Sequence, residues 1–138
     1  MDIAGALKAL HVAANVVWIG SILAVGRVIE VNEGDAKLRG ALALKVYKGL
    51  AVPAFGLSFV AGAAQLPLNL DYYFVRTHFM HAKLLFALVV IGLHHVVGAR
   101  AKKVANGDAA AAAAVPSLTI GILVATVIVV FLAVMKPF

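Results

Sequence analysis

The sequence predicts an all-α integral membrane protein built as a four-transmembrane-helix bundle. Of its 138 residues, 64% are hydrophobic and only 13% are charged, and the mean hydropathy is +1.03. This balance lies far outside the range of soluble domains. Four apolar segments are each long enough to cross a hydrocarbon core of about 30 Å, which takes roughly 20 helical residues. We expect one transmembrane domain over residues 1–138, with helices at about 4–29, 42–66, 79–98 and 115–134.

Polar or turn-forming connectors separate the four apolar segments. They read EVNEGDAKLRG, PLNLDYYFVRT and KKVANGDAAAAAA. The second connector is rich in aromatic residues, which are typical of the membrane interface, and the Asn-Gly-Asp of the third indicates a helix break. The first segment is expected to be a permanent span, because Asp2 stands where a secretory signal carries basic residues.

Composition excludes several classes of function. The chain has no cysteine, so disulfides, thiolate metal sites, iron–sulfur clusters and covalently attached haem are ruled out, and histidine is the only strong nitrogen ligand for a metal. The net charge of +6 comes from basic residues that flank apolar segments, which is not the pattern of a nucleic-acid surface. The sequence also lacks the motifs of a hydrolase or a phosphate-binding loop.

The first apolar segment carries the leading candidates for a cofactor site. His11, Asn15 and Trp18 fall on one helical face. His11 lies about two turns inside its helix, too deep for a short side chain to reach the interface easily, and intramembrane ionisable groups are functional by default. We therefore expect a functional role for His11.

The third apolar segment shows a second histidine face. Its members are His81, Leu85, Leu88, Gly92 and His95, whereas His94 and Lys83 point elsewhere. Two histidines on parallel helices at similar depth suit a haem with two imidazole ligands. The sequence thus predicts His11 and His81 as axial ligands of haem iron, with Asn15 beside the cofactor and Met135 as a weaker alternative ligand.

The polar residues of the spans also have structural interpretations. Any single histidine near a membrane boundary can be hydrated or bonded to a loop carbonyl, and His94 and His95 are expected at such an edge. Ser58 and Gln65 are expected to bond neighbouring helices. Tyr47 suits an interfacial belt as well as a site, and Lys83 either reaches the interface or binds an acidic group such as a porphyrin propionate.

Five stretches of the chain together resemble the HemJ-type protoporphyrinogen IX oxidase family. They read ALKALHVAANVVWIG, LKVYKGLAVPAFGL, MHAKLLF, GLHHVVGARAKKVANGD and FLAVMKPF, and they extend over nearly the whole chain. The most specific elements are His11 with Trp18, the spacing of Tyr47 and Pro53, the His-x-Lys of His81 and Lys83, and the closing Lys136 to Phe138.

The resemblance implies a multi-pass protein of the bacterial cell membrane that binds haem b. The implied activity is the six-electron oxidation of protoporphyrinogen IX to protoporphyrin IX. Apart from the resemblance, we expect the membrane quinone pool to accept the electrons and no nucleic acid to be a partner. The resemblance makes His11 the best haem ligand and His81 the second, and places Lys83 near the propionates or the substrate carboxylates. Lys83, Tyr47 and Trp18 are the residues we assign to catalysis.

One segment departs from that family. Its members commonly carry an Arg-x-x-Asn-Glu run before the proline of the fourth helix, where this chain reads AAAAAAV before Pro116. The related superfamily includes copper-resistance-type membrane domains. A non-catalytic b-type cytochrome and a copper-handling domain are therefore alternative functions. The glycines permit close helix–helix contacts, which is compatible with a homo-oligomer.

The distribution of basic residues predicts the orientation in the membrane. The first and third connectors with their flanks hold eight basic residues: Arg27, Lys37, Arg39, Lys45, Lys48, Arg100, Lys102 and Lys103. The opposite side holds four: Lys8, Arg76, Lys83 and Lys136. By the positive-inside rule both termini face the outside.

An impermeant thiol reagent should therefore label a cysteine added after residue 138 in intact cells, and labelling only after lysis would reverse the assignment.

Overall fold

The computed structural model describes residues 2–31 and 33–137, and within them every regular element is helical. The α-helices are α1 (Ile3–Glu30), α2 (Ala36–Val46), α3 (Val52–Gln65), α4 (Phe79–Ala105) and α5 (Val115–Met135). A π-helical turn, Tyr47–Ala51, joins α2 to α3 without a break. Four helical segments are therefore long and apolar enough to cross a membrane. This confirms the predicted all-α fold with four spans.

Local chemistry sets the ends of these helices. The Asp2 carboxylate accepts a hydrogen bond from the Gly5 amide at 2.5 Å, and the Asp35 carboxylate accepts one from the Lys37 amide at 2.9 Å. Both residues cap a helix N-terminus, whose first amides have no partner within the helix. α5 ends at Lys136, which adopts a left-handed conformation with φ of 45°.

Three spans extend well beyond the predicted bounds, and in one of them α4 continues seven residues further than predicted, to Ala105. The second span begins at Ala36 and runs through a 3-10 turn to Asn69. The alanine run is also ordered, because Ala109–Ala114 forms a 3-10 helix that leads into α5. The predicted bounds keep to the purely apolar stretches, whereas charged residues and alanine both continue a helix readily.

Small residues allow the helices to approach closely in one half of the bundle. A Cβ at Gly40 of α2 would lie 2.6 Å from the carbonyl carbon of Val104 in α4, so only glycine fits there. Gly26 of α1 lies equally tightly against Thr119 of α5. The completely buried side chains Ile22, Val25, Val97, Ala101 and Ile122 belong to this core.

The other half of the bundle is open on one side. α2 packs against α4, but beyond the π turn α3 packs along α1 and makes few contacts with α4. α3 and α4 therefore diverge beyond the π turn, and we call the gap between them, on the side of α1, the groove. A Cβ added at Gly56 of α3 or Gly92 of α4 would meet no atom within 4 Å.

The closed end of the groove depends on Gly98 of α4. A Cβ there would overlap the ring of Tyr47, the first residue of the π turn. We expect Gly98→Ala to destabilise the protein by about 1–3 kcal/mol, the usual range for overpacking, and to lower the melting temperature in detergent.

Gly92→Ala is the matched control on the same helix. It meets open space and removes a helical glycine, so it should be neutral or stabilise by up to about 1 kcal/mol. Equal melting temperatures for the two variants would contradict the tight contact between Tyr47 and Gly98.

Candidate functional site

The structure corrects the orientation of the third span. His81 is exposed, as are Leu85 at 61% and Leu88 at 64% on the same face. The prediction that this face turns inward is wrong. Bulky aliphatic side chains are as favourable against lipid as against protein, so a membrane helix turns its small and polar residues inward instead.

The inward face of α4 carries Lys83 and His94. They are eleven residues apart, which at about 3.6 residues per turn brings them to the same side of the helix. Lys83 is half-buried and lies within electrostatic range of His11. His94 has no exposed surface, so the expectation that it lies at a hydrated membrane edge is also wrong.

A hydrogen bond from α1 fixes the tautomer of His94. The indole Nε1–H of Trp18 donates to His94 Nδ1 at 3.1 Å. An indole nitrogen only donates, so Nδ1 is the acceptor and the neutral imidazole carries its proton on Nε2. Nε2 is buried and has no hydrogen-bond partner among residues 2–31 and 33–137. His94 therefore presents an unsatisfied N–H in the middle of the bundle.

Aromatic rings enclose this imidazole, and we call the enclosure the aromatic chamber: Trp18, Tyr47, Phe55, His94 and His95. The ring centroids of Tyr47 and Phe55 lie 5.0 and 5.3 Å from that of His94, at interplanar angles of 32° and 35°. The Tyr47 hydroxyl lies 3.4 Å from Nδ1 of His95. The π turn places Tyr47 over Gly98, and such turns occur frequently at functional sites.

His11 lies nearer the open end of the groove, and its tautomer is the opposite of His94's. Its Nδ1 is 2.8 Å from the Ser58 carbonyl oxygen, which only accepts, so Nδ1 carries the proton. Its Nε2 accepts a hydrogen bond from the Asn15 side-chain amide at 3.0 Å. Gly62 of α3 lies so close that a Cβ would be 2.7 Å from the imidazole Cε1. The backbone of α3 thus fixes the ring and leaves a lone pair on Nε2.

The remaining predicted site residues lie away from His11 and His94. Met135 is 61% exposed at the end of α5. The next residue, Lys136, lies over the rings of Tyr72 and Phe79, at 5.4 and 5.8 Å from their centroids. Phe138, part of the C-terminal resemblance, lies outside the described residues. His81 has only Phe74 and His78 as ring neighbours, so the predicted His11–His81 pair does not form across the groove.

Phe55 and Gly98 were absent from the sequence-based site. Gly98 lies four residues after His94 and Ala101 three residues later, a run of small residues on one face that indicates the side of close packing. Phe55 gives no comparable signal, because its position depends on how the π turn rotates α3.

Across the described ranges, no three His, Asp or Glu side chains cluster as a metal-ion site.

Comparison with known proteins adds no assignment: no family model, curated protein or solved structure matches the chain.

The Trp18–His94 hydrogen bond makes a direct prediction about stability. Trp18→Phe leaves Nδ1 of a buried imidazole without a partner, which should cost about 1–3 kcal/mol of unfolding free energy. His94→Phe removes the same bond together with the polar ring. The double variant should therefore be less destabilised than the sum of the single variants, as measured by denaturant unfolding in detergent. Strict additivity would show that the bond contributes nothing.

Proposed function

We propose that this protein is a haem b-dependent membrane oxidoreductase that converts protoporphyrinogen IX to protoporphyrin IX. Two independent lines support the proposal. One is the resemblance of five ordered stretches to the HemJ-type family. The other, which carries it, is the state of His11: an intramembrane imidazole whose Nδ1–H is held by a backbone carbonyl and whose Nε2 keeps its lone pair.

His11 fits an axial ligand of haem iron. Metal-ligating histidines commonly donate their second ring N–H to a carbonyl or carboxylate, which fixes the tautomer and orients the ring. The Ser58 carbonyl oxygen supplies that contact. Asn15 occupies the lone pair of Nε2, so its amide has to rotate away when iron binds. A flat macrocycle would enter between α3 and α4, where the two helices make few contacts.

No other histidine offers a second ligand to an iron bound by His11. His81 is on the exposed face of α4. His94 receives the indole N–H on Nδ1, so its Nε2 carries a proton instead of a free lone pair. The proposal is therefore a haem held by one protein imidazole, in place of the predicted pair.

Lys83 is suited to bind a carboxylate of the porphyrin. It is half-buried inside a span, and the ion pairs in the described part of the chain, Arg27–Glu30 and Arg76–Asp71, do not include it. An intramembrane lysine without an acidic partner is costly unless a ligand supplies the charge. Lys8 lies within its electrostatic range, so two cations are available near the open end of the groove.

The haem, when bound, supplies the redox chemistry by taking electrons from the porphyrinogen and passing them on to quinone. The chain supplies the rest. His11 holds the macrocycle, and Lys83 orients a carboxylate. Tyr47 and His95 form a hydroxyl–imidazole pair at 3.4 Å that can hold or move a proton. Trp18 acts through His94 as a positioning residue.

The test begins with the protein as purified in mild detergent after expression with ample haem. We expect non-covalent haem b, and oxidation of protoporphyrinogen IX to its fluorescent product in the presence of a short-chain quinone. His11→Ala should lower haem occupancy and abolish the activity, because the iron loses its protein ligand. His81→Ala should retain the haem, since its side chain lies on the opposite face of α4.

Three outcomes would contradict the proposal. They are a folded wild-type protein that takes up no haem, a His11→Ala variant with full occupancy and an unchanged spectrum, and a haem protein without porphyrinogen oxidation. The last result would favour an electron-carrying b-type cytochrome.

A further inference from the structure

An open cleft between α1 and α5 holds Glu30, the one acidic residue in the five α-helices that the structure describes. The cleft has a volume of about 290 Å³, and its lining residues are Leu23, Arg27, Glu30, Thr119, Ile120 and Leu123. Its charged residues lie near one end of the bundle, where α1 ends and α5 begins. Ionisable groups in membrane spans are rare and mark functional sites, so this cleft is a candidate ligand site.

The Glu30 carboxylate has spare capacity to accept hydrogen bonds, although its side chain is only 16% exposed. The Thr119 hydroxyl lies 2.9 Å from Oε1 of Glu30, but the carbonyl oxygens of Val115 and Pro116 compete for its single proton at 3.1 and 2.9 Å. Arg27 Nη1 lies 3.4 Å from Oε2, which is long for a hydrogen bond. An ionised carboxylate has about four acceptor sites, so Glu30 can accept from a further N–H donor.

The Arg27 guanidinium lies at the mouth of the cleft. Its side chain is 79% exposed, and its hydrogen-bond partner within the described residues is Glu30 alone. A guanidinium carries five N–H donors in a planar fork that matches the oxygens of a phosphate. Arg27 and Glu30 therefore offer a cation and an anion side by side, with no net charge between them.

The deeper part of the cleft fits a hydrocarbon chain. Leu23 lies seven residues before Glu30 on α1, about 10 Å along the helix axis, and Leu123 lies four residues after Thr119 on α5. Successive spans alternate in direction, so α1 and α5 are antiparallel and both leucines lie towards the middle of the membrane. Ile120 and Leu123 are 62% and 50% exposed, which gives the cleft an open aliphatic wall.

Charged groups at the membrane surface with an aliphatic wall below them match a phospholipid. Its headgroup has to carry an anion for Arg27 and a cation with N–H donors for Glu30. Phosphatidylglycerol carries no cation, and the trimethylammonium group of phosphatidylcholine has no N–H. We propose that the cleft binds phosphatidylethanolamine, with its phosphate on Arg27, its ammonium on Glu30 and one acyl chain along Leu23 and Leu123. This site involves neither haem nor the proposed oxidase activity.

The site can be tested with phosphatidylethanolamine that carries a photoactivatable diazirine in one acyl chain, irradiated with the full-length protein in mild detergent. Peptide mass spectrometry should find the label within residues 20–31 or 116–124. Unlabelled phosphatidylethanolamine should compete at about one tenth of the concentration that phosphatidylcholine or phosphatidylglycerol needs, equivalent to about 1.4 kcal/mol. Equal competition by the three lipids would overturn the proposal, as would labelling confined to other peptides.

Two variants separate the roles of the two charges. Glu30→Gln keeps the size of the side chain and an acceptor for Thr119 but removes the negative charge, so phosphatidylethanolamine should lose most of its tenfold advantage. Arg27→Gln removes the partner of the phosphate, which all three lipids share, so all three should compete less well by a similar factor. The matched control Asp71→Asn removes the carboxylate of the Arg76–Asp71 ion pair, outside the cleft, and should bind as the wild type does.

A Glu30→Gln variant that keeps the preference for the ethanolamine headgroup would contradict the proposal, and so would an Arg27→Gln variant that binds all three lipids as the wild type does. Melting temperatures in detergent show whether each variant is folded. A second measurement needs no variant: successive N-methylation of the ethanolamine headgroup removes its N–H donors one at a time. Competition against the wild-type protein should weaken at each step, and an unchanged affinity along the series would overturn the hydrogen bond to Glu30.

Discussion

The hydrogen bond between Trp18 and His94 is the interaction on which the rest of the bundle depends. It joins the middle of α1 to the middle of α4 at 3.1 Å in a fully buried position. Water is absent from the core of a bilayer, so a polar group there finds its partner in the protein or in a ligand. With His94 turned inward, Lys83 lies on the same side of α4, and His81 lies on the exposed side.

The fold was predictable because it follows from composition and length, and the polar face of α1 was predictable because His11, Asn15 and Trp18 recur at helical spacing. The rotation of α4 was not. Both of its faces carry a histidine, and helical periodicity alone does not say which face turns inward. Small residues were the better guide: Gly98 and Ala101 lie with His94 on the side that packs. The position of Phe55 depends on the π turn, which no local sequence pattern predicts.

The π turn also divides the bundle into halves with different properties. On one side of it, Gly40 lets α2 lie directly on α4, and the core is closed. On the other side, α3 packs along α1 and makes few contacts with α4. A membrane helix gains no hydrophobic free energy by closing such a gap, because lipid fills it equally well.

His11 and His94 adopt opposite imidazole tautomers. His11 gives its Nδ1 proton to the Ser58 carbonyl oxygen and keeps a lone pair on Nε2. His94 receives the Trp18 N–H on Nδ1 and keeps a proton on Nε2. Trp18, which contacts His94, lies seven residues beyond His11 on α1, about 10 Å along the helix axis. Nε2 of His11 accepts a hydrogen bond from Asn15, whereas the Nε2–H of His94 has no partner among the described residues.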